Sequence, residues 1–146
     1  MNMSTYIQVI DDTAAIFNDG DLVAAICLMD IASRKSDADA ELLLPLIAEW
    51  QHACSISGPG VLDLRLNRVV RNHPLVAALV RLLDRLLADL PQGAALVPAS
   101  LLNPWCRVPG LTFFDFPAAD IEQAIHKLRD FVLLGQEMHT NKNASP

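Results

Sequence analysis

Three cysteines, at positions 27, 54 and 106, are the residues best suited to bind a metal or attack an electrophile, and their spacing favours neither. His52 and Cys54 are two residues apart, which puts them on different faces of a helix. Cys27, Cys106, His73 and His126 have no ligand-type spacing to one another. Cys27 and Cys54 lie in apolar stretches, where a free cysteine behaves as a small hydrophobe. Cys106 differs, because it stands between Trp105 and Arg107 and a guanidinium favours the thiolate. No base is identifiable near it, so no metal site, cofactor or reactive centre is expected.

The acidic residues carry no clearer chemistry. Asp11 and Asp12 are adjacent and cannot share a helical face, while Asp19 and Asp21 flank a turn and suit helix capping. His73 precedes Pro74 and reads as a helix N-terminal residue. The chain has no nucleophile elbow, Walker loop, dinucleotide-binding glycine fingerprint or HExxH, and Gly58-Pro59-Gly60 lacks the strand and helix that a phosphate cradle requires. No catalytic residue is assigned and the chain is not expected to be an enzyme. Arg65, Arg68 and Arg71 are the one basic group, spread over roughly 120° of a helix if they lie on one. They form either a solvated face balancing the acidic N-terminal third or a docking patch for an acidic segment of a partner.

Composition narrows the class. The chain has 146 residues, a net charge of −6 and 52% hydrophobic residues, with a mean hydropathy of +0.29. Only eight residues are aromatic, so the surplus is aliphatic and exceeds what a domain of this size readily hides. Apolar surface is therefore expected to be left for a partner protein or a second copy in a homodimer. Residues 1–49 hold nine acids against Arg34 and Lys35, whereas residues 50–90 carry a balance of +2. An acidic chain repels phosphate backbones, so nucleic acid is not an expected partner. The N-terminus MNMSTYIQVIDD has no basic segment before an apolar core, and no run of 18 residues is apolar and uncharged. Neither a signal peptide nor a membrane partner is expected. An odd number of cysteines without CxxC fits a reducing, cytoplasmic setting.

The elements that must position these residues read as helices. Residues 4–18 form the first, with Tyr6, Val9, Ile10 and Phe17 on its stripe; Asn18-Asp19-Gly20 is a turn, and a second helix runs from Asp21 to Ser33. That second helix is apolar nearly all round, with Asp30 almost alone as a polar position. Gly20-Asp21-Leu22 at the turn, Ala25 and Ala32 seven residues apart and Phe17 before the turn resemble a single tetratricopeptide-type hairpin over residues 4–34. Thr13 departs from the pattern where a small glycine is usual, and residues 35–146 show no second copy. The resemblance implies a helical scaffold that binds peptides or proteins.

A third helix runs from a cap within Ser36–Asp39 to Cys54, kinked at Pro45, and the loop SISGPG at 55–60 is the hinge candidate. Residues 61–71 alternate as a strand would, yet Leu and Arg favour helix, and helix is the reading adopted. Asn72–Leu90 is the strongest helix, capped by Asn72, opened by Pro74 and stopped by Pro91 and Gly93. Its apolar stripe faces inward, while Arg81, Asp84, Arg85 and Asp89 lie opposite, with Arg85 and Asp89 able to pair. Residues 91–117 hold five prolines and half the aromatics, Trp105, Phe113, Phe114 and Phe116, with at most a short strand over Leu111–Phe116. The last helix spans Pro117 to a C-cap at Gly135.

These readings give an all-α, single-domain bundle of five or six helices over residues 1–135, with a disordered tail over 136–146. Helix 72–90 sits at its centre, and the Pro- and aromatic-rich segment 91–117 folds across one side. The expected function is non-catalytic protein–protein interaction: an acidic adaptor, dedicated chaperone or inhibitor of the immunity type. Trp105, Phe113, Phe114, Phe116, Arg65, Arg68 and Arg71 are the candidate partner-binding residues. The alternative is a helical small-molecule regulator or minor enzyme whose apolar pocket is walled by Trp50, Trp105, Phe113 and Phe114, with a lid hinged at Gly110.

Overall fold

The computed structural model describes residues 5–35, 38–56 and 61–144. The protein is mostly helical, with two small two-stranded sheets, and so is not the purely all-α bundle expected. The first element is the largest departure. Residues 4–18 were expected to be helical, but β1 (Thr5–Ile10) and β2 (Thr13–Asn18) pair antiparallel across a two-residue turn, Asp11-Asp12. Asp11 takes φ 51°, a conformation aspartate tolerates in tight turns. Tyr6, Gln8 and Ile10 point inward; Ile7, Val9 and Ile16 point outward. Because both faces are apolar, the period of two was masked, and only the density of β-branched residues marked a strand. The tetratricopeptide-like hairpin is thereby overturned: its first helix is a β-hairpin.

Helix α1 (Asp19–Ser33) follows directly. Asn18 caps it, the side-chain Oδ1 accepting from the Asp21 amide at 3.2 Å. Every residue from Leu22 to Asp30 is buried. It packs against α2 (Ala40–Ile56), α4 (His73–Asp89) and α6 (Ala118–Ala144), so α1, rather than helix 72–90, occupies the centre. Helix α4 itself forms as the sequence dictates, with Asn72 Oδ1 accepting from the Leu75 amide at 3.1 Å. Its charged face is less ordinary than expected. Arg81 grips Asp39, at the entrance to α2, through bonds of 3.0 and 2.8 Å, and Asp84 accepts from Arg129 of α6 at 2.6 Å. The Arg81 guanidinium holds Asp39 below the usual carboxylate range. Arg85 and Asp89 make no ion pair with each other.

Helix α2 continues through Pro45 and takes in Ser55 and Ile56; the hinge expected at 55–60 otherwise lies outside the described residues. Residues 61–65 are extended rather than helical, and only Leu66–Val69 form a helical turn, α3. In the 91–117 segment β3 (Leu96–Val97) pairs with β4 (Phe116–Pro117), replacing the strand expected over Leu111–Phe116. Between them lie the short helix α5 (Ala99–Leu102) and a 3₁₀ turn at Asn103–Trp105. No helix among the described residues is long and apolar enough to cross a membrane.

Gly135 does not end the last helix, and the residues from 136 are not a disordered tail through 144, because α6 continues to Ala144. A C-cap glycine takes a positive φ, which Gly93 and Gly110 do and Gly135 does not. Gly135 instead lets α6 approach the hairpin. A Cβ there would stand 2.6 Å from Ile10 Cδ1 and 3.1 Å from Val70 Cγ1. An exposed helical Gly→Ala change gains about 1 kcal/mol. Here overpacking against two buried, branched side chains reverses the sign, so Gly135→Ala is expected to destabilise by about 1–2 kcal/mol in denaturant unfolding. A gain in stability would show that the hairpin is not held against this position.

Candidate functional site

The segment 61–66 is placed by one side chain. Residues 62 and 64 are buried and 61, 63 and 65 exposed, the pattern of a strand, yet among the described residues no strand pairs with them backbone to backbone. The carboxamide of Gln8 takes the partner strand's place. Its Nε2 donates to Leu62 O at 2.6 Å and its Oε1 accepts from Leu64 N at 2.9 Å, so the buried amide is satisfied at both ends. Trp50 Nε1 donates to Leu64 O at 3.0 Å from the other side. Asn67 Oδ1 accepts from Asp11 N at 3.0 Å and ties the hairpin turn to α3.

This clamp forces a sharp change of direction at Arg65, where φ is 54° and ψ is 48°. Left-handed backbone at a residue with a Cβ costs about 1–2 kcal/mol, and glycine or asparagine would take it more cheaply. Asp63 Oδ1 offsets part of the cost by accepting from Arg65 N at 2.8 Å. The bend presents the Arg65 side chain over two open depressions of about 490 and 650 Å³ that share Val61, Asp63, Arg65 and Arg68. Ile7 and Val9 floor one, and Ala53 and Ile56 the other. Ile16 stands directly opposite Ile7 in the hairpin register, and the outward aliphatics are well exposed: Ile7 and Ile16 at 56%, Val61 at 68%. Lys127 Nζ donates to Ile16 O at 2.8 Å and lies over the Phe17 ring, pinning β2 to α6. The result is an aliphatic strip crossed by two guanidinium groups. Arg68 is held only loosely by Glu49, at 3.4 Å.

Of the residues singled out from sequence, Arg65 and Arg68 meet in this groove, whereas Arg71 is exposed and lines neither depression. The aromatic residues divide differently. Phe113 is buried and packs edge-on against Phe116, with centroids 5.6 Å apart, and the Asn103 carboxamide bridges both backbone groups of Phe113 at 2.7 and 3.1 Å. Trp105 is half-buried under Arg34, whose guanidinium lies 4.9 Å from the ring centroid. Phe114 projects into solvent at 89% exposure. Trp50 is sealed in the core. The four-aromatic pocket expected as the alternative is therefore not assembled. Ile7, Val9 and Ile16 escape notice as candidate residues because the hairpin reads as a helix in sequence, and Val61 because the 61–71 stretch does too.

Two polar clusters lie elsewhere. Asp30, buried on α1, accepts from Arg34 Nε and from Gln51 Nε2, each at 3.0 Å, and Gln51 Nε2 also donates to Trp105 O at 2.8 Å. One aspartate thus joins α1, α2 and the 103–105 turn. The three cysteines converge beside it, from α1, α2 and the turn. A hydrogen bond with Cys27 draws the Cys106 thiol below the usual cysteine range, although burial opposes it, and the same bond, with burial, pushes Cys27 up. Cys54 is pushed up to about 12, mainly by burial. Cys106 is therefore the thiol that ionises first. Asp19 and Asp21 sit in the first turn of α1, and Asp21 is raised to about 6 by burial, with Asp120 and Asp19 adding repulsion. His73 Nδ1 meets Gln136 Nε2 at 2.9 Å, and His126 faces Glu122 at 3.8 Å; both are exposed. No group of three or more His, Cys, Asp or Glu side chains among the described residues is arranged to hold a metal ion.

Comparison of the chain with protein-family models, with curated proteins and with solved structures gave no match.

Removing the Gln8 carboxamide leaves Leu62 O and Leu64 N without that partner. Gln8→Ala should cost about 2–4 kcal/mol in equilibrium unfolding and raise hydrogen exchange at the Leu64 amide. Unchanged exchange there would show that the clamp does not hold the segment. For the thiols, iodoacetamide at pH 7 should label Cys106 well before Cys27 and Cys54, as read by peptide mass spectrometry. Cys27→Ala removes the donor that stabilises the thiolate and should slow that labelling, shifting its pH profile upward. A profile unmoved by Cys27→Ala would separate the two thiols.

Proposed function

We propose that this protein is a non-catalytic protein-binding module that holds an apolar, acid-bearing segment of a partner protein on the groove between the hairpin and the 61–68 segment. The observation that carries the reading is Arg65. A residue with a long cationic side chain occupies a left-handed position, and its strained backbone aims that charge across an exposed aliphatic strip. Ile7, Val9, Ile16 and Val61 supply apolar area for anchors, and burying one such side chain contributes roughly 1.5–3 kcal/mol. Arg65, which makes no salt bridge among the described residues, and Arg68, held only loosely by Glu49, supply charge complementary to aspartate or glutamate on the partner, with Asp63 as the other acid in the lining and on a chain whose net charge is −6. That combination favours an acidic segment over a basic or purely apolar one. It moves the weight of the interaction from the aromatic segment, three of whose four aromatics are engaged within the fold, to the hairpin face.

Adaptor, dedicated chaperone and immunity-type inhibitor are three forms of this one activity. A reducing cytoplasmic setting is part of the same proposal, supported by the three cysteines all being free thiols. A second copy covering the same strip would set Arg65 and Arg68 against their own counterparts, so a hetero-partner is the better electrostatic match.

Selection from a displayed peptide library against the intact protein should return aliphatic segments with adjacent Asp or Glu. Arg65→Glu should weaken those peptides at least tenfold, and Ile7→Asp or Val61→Asp should do the same, while Phe114→Ala leaves affinity unchanged. Thermal melts check that each variant folds. Peptides without acidic residues, equal binding by Arg65→Glu, or a concentration-dependent dimer in sedimentation that Ile16→Asp abolishes would overturn the hetero-partner reading.

A further inference from the structure

We propose a second, separate site: the cleft between α1, α4 and the Leu96–Leu101 strip binds a small aliphatic monocarboxylate, tail inward and head group outward. The cleft encloses about 310 Å³, at the small end of the range for ligand sites. Its walls are aliphatic, with Leu28 and Ile31 from α1, Leu86 and Leu90 from α4, and Val97 and Leu101 closing the third side. Leu96 and Leu101 remain exposed at its lip, so an alkyl chain entering the cleft covers surface that the fold leaves in water.

The head group is specified by charge. Lys35, just past the end of α1, and Arg85, on α4, both border the cleft, with Asp89 as the one carboxylate among the lining residues. Arg34, Arg81 and Arg129 each hold a carboxylate within 3.0 Å, but Lys35 and Arg85 make no ion pair among the described residues. Arg85 also lies within electrostatic range of Asp39, but Arg81 already holds that carboxylate, so Lys35 and Arg85 against Asp89 leave a surplus of one positive charge at the mouth of an apolar cavity. That balance fits a monoanion, and a cationic amphiphile would be repelled. The groove assigned to the protein partner shares no lining residue with this cleft, so the two proposals stand independently.

Isothermal titration of the intact protein with decanoate, below its micelle concentration, is expected to show saturable binding of one molecule per chain and a rise in melting temperature. Shortening the chain to octanoate should weaken binding roughly tenfold, since two methylenes leave the cleft. Decanol and decyltrimethylammonium should bind at least fivefold more weakly than decanoate. The double variant Lys35→Gln/Arg85→Gln, which changes only exposed side chains, should erase that preference without altering the melt of the free protein. Ala32→Phe should block binding by filling the cleft, and Ile16→Asp on the hairpin should leave it unchanged. Equal affinity for the alcohol or the ammonium compound, or an unaltered preference in the double variant, would overturn the proposal, as would absence of saturable decanoate binding.

Discussion

A helix with almost no polar side must be enclosed on every side, and α1 imposes that constraint on the rest of the molecule. From Leu22 to Asp30 it offers water nothing it can solvate well, so α2, α4 and α6 form its walls. The hairpin leads straight into its N-terminus and the 103–105 turn packs against it. At roughly 25 cal/mol per Å² of apolar surface, enclosing such a helix outweighs the local preference of any single neighbour. Its one buried charge, Asp30, is tolerable because Arg34 neutralises it and Gln51 hydrogen-bonds it. The same residues draw Trp105 over the end of the helix, which is why a proline-rich segment packs as a wall.

Once α1 is enclosed, the aliphatic surplus in the composition has a definite location. On the core helices only Leu44, Ile56 and Leu134 are large, exposed aliphatics among the described residues, whereas Ile7, Val9 and Ile16 stand together on the outer face of the hairpin with Val61 beside them. The groove there owes its shape to Gln8, a single carboxamide standing in for a missing strand, and to the bend at Arg65 that follows. Residue types that obscured the fold are also those that define the candidate site: had Ile7, Val9 and Ile16 been polar, the hairpin would have been plain from its alternation, and there would be no apolar strip.

Charge follows a similar logic. The acidic N-terminal third and the arginines beyond residue 64 are partly reconciled by long-range pairs, Arg81 with Asp39 and Arg68 with Glu49. These join elements and are not the i, i+4 pairs that helical spacing suggests. Exposed pairs of this kind contribute modestly, about 0–1 kcal/mol each. Their larger consequence is to leave identifiable cations, Arg65, Lys35 and Arg85, without a salt-bridged carboxylate among the described residues.

The sequence by itself determined the helices whose signals are local. Asn72, Pro74 and a clean apolar stripe specify α4, the turn at Asn18-Asp19-Gly20 specifies the start of α1, and the apolar run after it specifies that α1 is buried. It also singled out Arg65 and Arg68, whose side chains the fold leaves exposed beside the hairpin. Tertiary structure alone decided which helix is central, because enclosure depends on all the walls together. It decided that residues 5–18 pair as strands, since the core takes Tyr6, Gln8 and Ile10 from one side and periodicity could not say which apolar face was inside. Gly135 is the same case in miniature: a glycine near a helix end suggests a cap, and only the approach of Ile10 from 125 positions away shows that it is there to leave room for a neighbour.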